Sequence, residues 1–244
     1  MKIEALYTEA CNLYGDAFNV EYLRQSVPEA EIIRTPLNGT PRFMREDVDL
    51  IYMGPMTEQM QEEVIRRLRP CMDRIRQLVA ADTVFLMTGN ALEVFGREID
   101  CEDGRQIRGL ELYDGCARRQ MFRRYNALFL GQLPPDDSAG QAIDVVGFKS
   151  QFSHTWADNE DGFCFQALRG GGIHPGSVRE GIRIRHFFGT YLLGPLLPLN
   201  PPLTRYLLHL AGVQDPHPAF EAEAQTAYET RLREFRDPRR RAVM

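Results

Sequence analysis

Five cysteines, five histidines and the neighbouring pair Ser153 and His154 are the groups with which this chain of 244 residues could attempt covalent or metal chemistry. The cysteines (Cys11, Cys71, Cys101, Cys116 and Cys164) are odd in number and widely spaced, with no Cys-x-x-Cys pair and no histidine at zinc-ligand spacing. That pattern points to free thiols in a reducing compartment. No histidine precedes His154, so Cys101 and Cys116 have no local imidazole to activate them and read as buried or incidental thiols. Ser153 and His154 are neighbours on a predicted strand; their side chains leave opposite faces and cannot pair as nucleophile and base. His174, His186, His209 and His217 share no ligand spacing, so neither a metal nor a cofactor is expected.

Two segments concentrate the remaining polar chemistry. Thr88 to Gly96 reads as the end of a buried strand, a sharp Gly89-Asn90 turn and a short helix, an elbow that would project side chains into a crevice. Within it, Glu93 either brings a carboxylate into that crevice or sits exposed in a first helical turn, favoured by the helix dipole. In Gly147 to Ser153, alternation places Lys149 and Gln151 on one face and Ser150 and Phe152 on the other. That face would either hold a carboxylate or amide ligand or be a solvated strand edge. Arg183 and Arg185 alternate with Ile182, Ile184 and His186 on one predicted strand and could meet an anion or a partner surface.

The elements that must position these groups are legible from periodicity. Lys2 to Thr8, Glu31 to Arg34, Val48 to Met53 and Thr83 to Thr88 read as strands, the last two as continuous apolar runs typical of doubly buried parallel strands. Ala17 to Val27 has helical spacing. Thr57 is a candidate N-cap for a helix through Met60, Val64 and Leu68, which Pro70 either kinks or splits from a second helix through Ile75 and Val79. This alternation predicts a parallel sheet covered on both faces, with a crevice at the carboxyl ends of its strands, where Gly54 and Gly89 lie. After Gly96 the texture is mostly β: a hairpin from Glu98 to Ile107 around Asp103-Gly104, then Met121 to Leu130, Ile143 to Trp156, Phe163 to Leu168 and Ile182 to Tyr191. The run Gly170-Gly171-Gly172 marks a loop, and two helices, Leu203 to Leu210 and Pro218 to Phe235, close the chain.

Composition excludes several classes. With 29 basic against 34 acidic residues the formal charge is −5, so there is no broad attraction for nucleic acid or an anionic membrane. The sole basic run, Arg239 to Arg241, reads as a solvated tail. The opening MKIEALYTEA has charges where an export signal needs an apolar segment, and the longest uncharged stretch, Phe187 to Leu203, carries four prolines. A soluble cytoplasmic protein is expected.

Three stretches carry a resemblance: Asn12-Leu13-Tyr14-Gly15-Asp16 with Asn19, the elbow Thr88 to Gly96, and Phe188-Gly189-Thr190-Tyr191-Leu192-Leu193-Gly194-Pro195-Leu196-Leu197-Pro198 followed by Asn200-Pro201. In order and separation they resemble the CobB/CobQ-like class I glutamine amidotransferase domains, the cobyric acid synthase type that includes GatD-like proteins. The resemblance covers residues 1–212 and leaves a terminal helix and basic tail, 213–244, outside it. It implies an α/β, flavodoxin-like fold with a central, mostly parallel sheet flanked by helices and a β-rich second half. It also places the family's nucleophilic cysteine at Gly89 and its histidine base at Leu193, neither of which can titrate, with Glu93 where the family has glutamine. The loop after the Val48 to Met53 strand, where the family has an oxyanion-holding turn, reads Gly54-Pro55-Met56, and proline has no N–H.

A glutaminase needs a thiolate to attack the amide and an imidazole to activate it. The resemblance therefore implies no catalytic residue at the family positions, and pocket candidates Gly54, Met56, Asn90, Glu93, Lys149, Gln151 and Ser153. In the family such a domain delivers ammonia to an ATP-dependent synthetase or ligase that amidates a corrinoid or a peptidoglycan precursor. The expectation is a degenerate, non-catalytic or regulatory subunit for such a partner. Two alternatives stand beside it: a stand-alone module that binds an amino-acid-like ligand, and an active amidotransferase with a displaced nucleophile.

Overall fold

Apolar runs without alternation demand cover on both sides of a strand, and the first half of the chain provides it. The computed structural model describes residues 1–136, 138, 140–158, 160 and 162–239, so of the basic run Arg239 to Arg241 only Arg239 lies within the described residues. In chain order come β1 (Lys2–Leu6), α1 (Phe18–Ser26), β2 (Glu31–Thr35), β3 (Leu50–Met53), α2 (Glu58–Leu68), α3 (Met72–Ala80), β4 (Val84–Thr88) and α4 (Ala91–Val94). β1 to β4 are all parallel. Alternate residues of β3 go to opposite cores: Ile51 and Met53 pack with Val64, Ile65, Ile75 and Leu78 of α2 and α3, while Leu50 and Tyr52 pack with Val20 and Leu23 of α1. Thr57 caps α2 by accepting from the Met60 N–H at 3.3 Å. Pro70 lies in a 3-10 turn, Arg69–Cys71, that separates α2 from α3, so the proline splits the helix instead of kinking it.

The β-rich half contains β5 (Glu98–Asp100), β6 (Gln106–Arg108), β7 (Gly115–Arg119), β8 (Tyr125–Leu133), β9 (Ile143–Gln151), β10 (Ser153–Ala157), β11 (Phe165–Arg169), β12 (Arg179–Glu180), β13 (Ile182–Ile184) and β14 (Phe187–Thr190). Three sheets result, in the orders β13-β14-β4-β3-β1-β2, β10-β7-β5-β6 and β12-β11-β8-β9. β14 adds a fifth parallel strand beside β4, and β13 pairs antiparallel on the edge. The fold is α/β with a parallel-rich sheet, as the sequence predicts, but two predicted single strands are each two. Ile143 to Trp156 breaks at Phe152, between β9 and β10. Ile182 to Tyr191 reverses at Arg185, whose φ of +53 turns the chain, so Arg183, Arg185 and His186 do not share one strand face. Arg183 instead meets Asp136 and the Tyr206 hydroxyl, each at 2.6 Å, and Arg185 pairs with Asp82.

Three helices finish the chain: α5 (Leu196–Leu199), α6 (Pro201–Leu210) and α7 (Glu221–Arg236). Pro201 and Pro202 occupy the first turn of α6, where a missing N–H costs nothing. α7 does not stand apart from residues 1–212. Its Tyr228 and Leu232 pack on Leu130 of β8 and Val146 of β9, and the Tyr228 hydroxyl donates to the Asp144 carbonyl at 2.7 Å.

Asn200 stitches this end to the third sheet. β9 is an edge strand, so the outward N–H and C=O of Val146 need partners from elsewhere. Asn200 is fully buried; its Oδ1 accepts from the Val146 N–H at 2.8 Å and its Nδ2 donates to the Val146 and Leu196 carbonyls at 2.7 and 2.8 Å. Replacing it leaves an edge strand with buried, unpaired backbone groups. Asn200→Ala should therefore lose about 2–3 kcal/mol in urea unfolding monitored by circular dichroism, with an unchanged m-value.

Candidate functional site

β4 ends at Thr88, and the backbone reverses at Gly89 with φ +58, so that α4 begins two residues later. Such a φ favours glycine, but space restricts the position further. A Cβ at Gly89 would lie 2.7 Å from Cβ of Pro55 and 3.0 Å from Cδ2 of Leu193. The proline ring is rigid, whereas the leucine contact is with the end of a side chain whose backbone is fixed. Pro55 is held by its carbonyl, which accepts from the Leu13 N–H at 3.1 Å. The next residue, Met56, exchanges two bonds with the Asn90 amide, at 2.9 and 2.8 Å. Leu193 is held through its backbone, which exchanges two bonds with Phe148 of β9 at 3.1 and 2.9 Å. Gly89, Pro55 and Leu193, the three positions singled out in the sequence, thus pack together in an apolar wall.

That wall bounds a cleft of about 210 Å³ at the carboxyl end of the parallel sheet. Leu13, Tyr14, Met56, Thr57, Arg124, Ser150, Gln151, Phe152, Ser153 and Tyr191 also line it. The Tyr14 hydroxyl donates to Ser150 Oγ at 3.2 Å, and the Arg124 guanidinium lies 4.5 Å over the Phe152 ring. The Gln151 amide donates to the Ser153 carbonyl at 2.6 Å and to His154 Nδ1 at 3.2 Å. Its buried Oε1 has no hydrogen-bond partner among the described residues.

Of the seven pocket candidates, Met56, Asn90, Gln151 and Ser153 border the cleft. Gly54, Glu93 and Lys149 do not. Gly54 is closed in: a Cβ there would meet the Cys11 carbonyl at 2.6 Å and the Tyr52 hydroxyl at 2.7 Å. Lys149 keeps the inward face of β9, where its ammonium bonds to Glu180 at 2.5 Å and to the Gly171 and Gly172 carbonyls at 2.8 Å, with no exposure. It anchors the glycine loop and is not a solvated edge residue. Because the chain bends at Phe152, Ser150, Gln151, Phe152 and Ser153 all border the cleft, where simple alternation would divide them.

Glu93 is neither a cleft carboxylate nor an exposed first-turn residue; it is 1% exposed and lies beneath the cleft. Ser153 Oγ and the Tyr191 hydroxyl both donate to its Oε1, the latter at 2.9 Å, and Gln61 Nε2 donates to Oε2 at 3.0 Å. The other end of Gln61 accepts from Arg119 at 2.8 Å. Burial still pushes the Glu93 carboxyl above the ordinary range, against those three donors and the nearby Arg119 charge. Tyr191, Gln61, Arg119 and Arg124 carry no catalytic spacing in the sequence; Tyr191 alone sits inside a quoted motif.

The thiols lie elsewhere. No cysteine borders the cleft. Burial pushes the Cys11 thiol up to about 12 and, with Asp100 alongside, the Cys116 thiol up to about 11; Cys71 and Cys164 are raised by burial too. Glu98, Asp100 and Cys116 bring ligand atoms within 4.8 Å of one another. Arg97 and Arg118 already neutralise those two carboxylates, at 2.8 and 3.8 Å, so the cluster is poorly suited to a cation.

The raised Glu93 carboxyl has a sign. Between the ordinary glutamate pKa and its raised folded value, the folded state binds more protons than the unfolded state, so this residue's contribution to stability declines as pH rises through that window. Urea unfolding from pH 4 to 8 should show that decline in the parent protein, and Glu93→Gln should flatten it. Glu93→Ala, which strands three buried donors, should lose about 3 kcal/mol at neutral pH.

Comparison with known proteins agrees with this architecture. No family model matches the chain. Over 206 residues, 84% of this chain and 81% of the relative, it is 24% identical to the GatD subunit of lipid II isoglutaminyl synthase (glutamine-hydrolyzing) from Staphylococcus aureus. It is 22% identical to the subunit of the same description from Streptococcus pneumoniae, over 86% of this chain and 80% of that one. Among solved structures, PurLQS from Thermotoga maritima superposes with a TM-score of 0.54 at 10% identity, covering 95% of this chain and 98% of that chain. A glutamine amidotransferase from the same organism gives 0.50 at 11% identity, covering 96% and 91%. By sequence this chain is similar to the two GatD subunits, and it shares its fold with a solved glutamine amidotransferase.

Proposed function

We propose that this chain is a non-catalytic GatD-type subunit that associates with an ATP-dependent amide-forming ligase in the cytoplasm, in amidation of the lipid II type. One observation carries the reading: at the elbow, where the family's resemblance places a nucleophile, Gly89 has no room for a side chain between Pro55 and Leu193. Loss of a reacting thiol alone would leave a gap. Here Leu193 and Pro55 fill it, and proline removes a backbone donor that could hold an oxyanion. None of the five thiols borders the cleft, and burial raises Cys11, Cys71, Cys116 and Cys164, which argues against a substitute nucleophile. Among the described residues no helix is long and apolar enough to cross a membrane, which accords with a subunit that meets its ligase in solution.

A partner ligase that receives no ammonia from this chain must take it from solution. In ATP-dependent amidation the ligase forms an acyl phosphate, ammonia attacks the carbonyl carbon, and phosphate leaves with the bonding pair. The chain would then stabilise or regulate the ligase without supplying the nitrogen.

A second reading rests on the cleft itself, which the polar Ser150, Gln151 and Ser153 border. A small amino-acid-like ligand that hydrogen-bonds there would work without a ligase. Saturable binding of glutamine or asparagine to the isolated chain by calorimetry, abolished by Gln151→Leu, would favour that module.

The purified chain, alone and mixed with the cognate ligase, should release no ammonia from glutamine, and the mixture should form amide from ammonium chloride with glutamine unable to replace it. Gly89→Cys combined with Leu193→His should remain inactive, since Pro55 still occupies the space of the new side chain, and should cost about 2 kcal/mol of stability through overlap and a strained left-handed φ. Glutamine hydrolysis by the parent chain that a single Cys→Ala change abolishes would overturn the reading.

A further inference from the structure

The turn between β7 and β8 presents apolar side chains to water in a fixed shape. Phe122 is 100% exposed and Met121 37% exposed. They are not there because the segment lacks structure: the Arg123 N–H donates to the Gln120 carbonyl at 2.9 Å, and the Gln120 N–H donates to the Phe152 carbonyl at 2.5 Å. Met121 and Phe122 thus occupy the two central positions of a closed turn pinned to the bend between β9 and β10. Arg124 continues the turn into the cleft rim by stacking on Phe152, and Leu13 and Tyr14, 38% and 50% exposed, border the same cleft.

Charge and apolar exposure coincide here. Arg123 and Arg124, like Arg45 and Arg69, have no ion-pair partner among the described residues, but they stand side by side next to the exposed Phe122. Two unneutralised guanidinium groups beside a bare phenyl ring, on a molecule of net charge −5, ask for an apolar socket ringed by carboxylates. A pre-ordered aromatic flanked by arginines is the composition of an interface anchor, because little side-chain or backbone freedom remains to be lost on association.

We propose that the Gln120–Arg124 turn is the knob on which this chain docks its ATP-dependent ligase, with Phe122 seated in an apolar socket and Arg123 paired to carboxylates at its edge. This rests on the subunit reading above. The docking face includes the rim of the filled cleft, so the partner covers the site where chemistry is missing.

Titration calorimetry of the purified full chain against the recombinant cognate ligase tests it. Phe122→Ser and Arg123→Glu should each weaken binding about 30-fold or more, and parent binding should weaken as salt rises. Leu168→Ser, at a 55% exposed residue of β11, should bind as the parent does. Circular dichroism of each variant establishes that the fold is kept. Parent-like affinity of both turn variants would overturn the docking site while leaving the subunit reading in place. Absence of any ligase binding by the parent chain would overturn both. A dimer of the parent chain in size-exclusion chromatography that Phe122→Ser dissolves would assign the knob to a second copy of this chain, and co-sedimentation with anionic vesicles lost in Arg123→Glu would assign it to a membrane; either would overturn the ligase as its occupant.

Discussion

A carboxylate cut off from water must be given its hydrogen-bond donors by the protein, and Glu93 draws those donors from two sheets and a helix. It stands on the elbow helix after β4, in the parallel sheet. Tyr191 reaches it from the end of β14, Ser153 from the start of β10 in the second sheet, and Gln61 from α2. Through Gln61 the network continues to Arg119 of β7. The Tyr191 N–H also donates to Glu180, which pairs with Lys149 of β9 and so ties in the third sheet and the glycine loop. Three sheets that share few backbone bonds are thereby brought into one register around the elbow.

Two opposite devices meet at the carboxyl end of the parallel sheet. Below the cleft the polar groups are buried and paired; on its wall Gly89, Pro55 and Leu193 present no titratable atom at all. Close packing makes the second device restrictive, since a side chain added at Gly89 would have to displace the Pro55 ring and turn the Leu193 side chain aside. The scaffold around the elbow is held by Asn200, Glu93 and the Asn90–Met56 amide pair. None of those three depends on a reacting group. The elbow is also where the sheets of this fold are joined, which gives it a structural role that needs no reacting group.

Much of this was legible in the residues. The apolar runs of β3 and β4, the Thr57 cap and the Gly89 turn are local consequences of side-chain type and spacing, and they predict the parallel half of the fold. Glu93 and Lys149 were not legible in the same way. As charged residues they read as cleft or solvent groups, and only the partners Ser153, Tyr191 and Gln61, and Glu180 with two glycine carbonyls, decide that both are interior. The division of Ile182 to Tyr191 into two strands turned on one left-handed residue, Arg185, which no propensity marks.

The sequence by itself determined that Gly89 and Leu193 carry no titratable group, because which groups can titrate is a property of residue type alone. It also determined the alternation that makes the parallel sheet, since period and apolar content are local. Only the tertiary structure decided that Gly89, Pro55 and Leu193 touch, that the carboxylate of Glu93 faces inward and that Phe122 faces water. Contact between residues some 35 to 140 positions apart depends on how three sheets pack, and burial is a property of that packing rather than of any one residue.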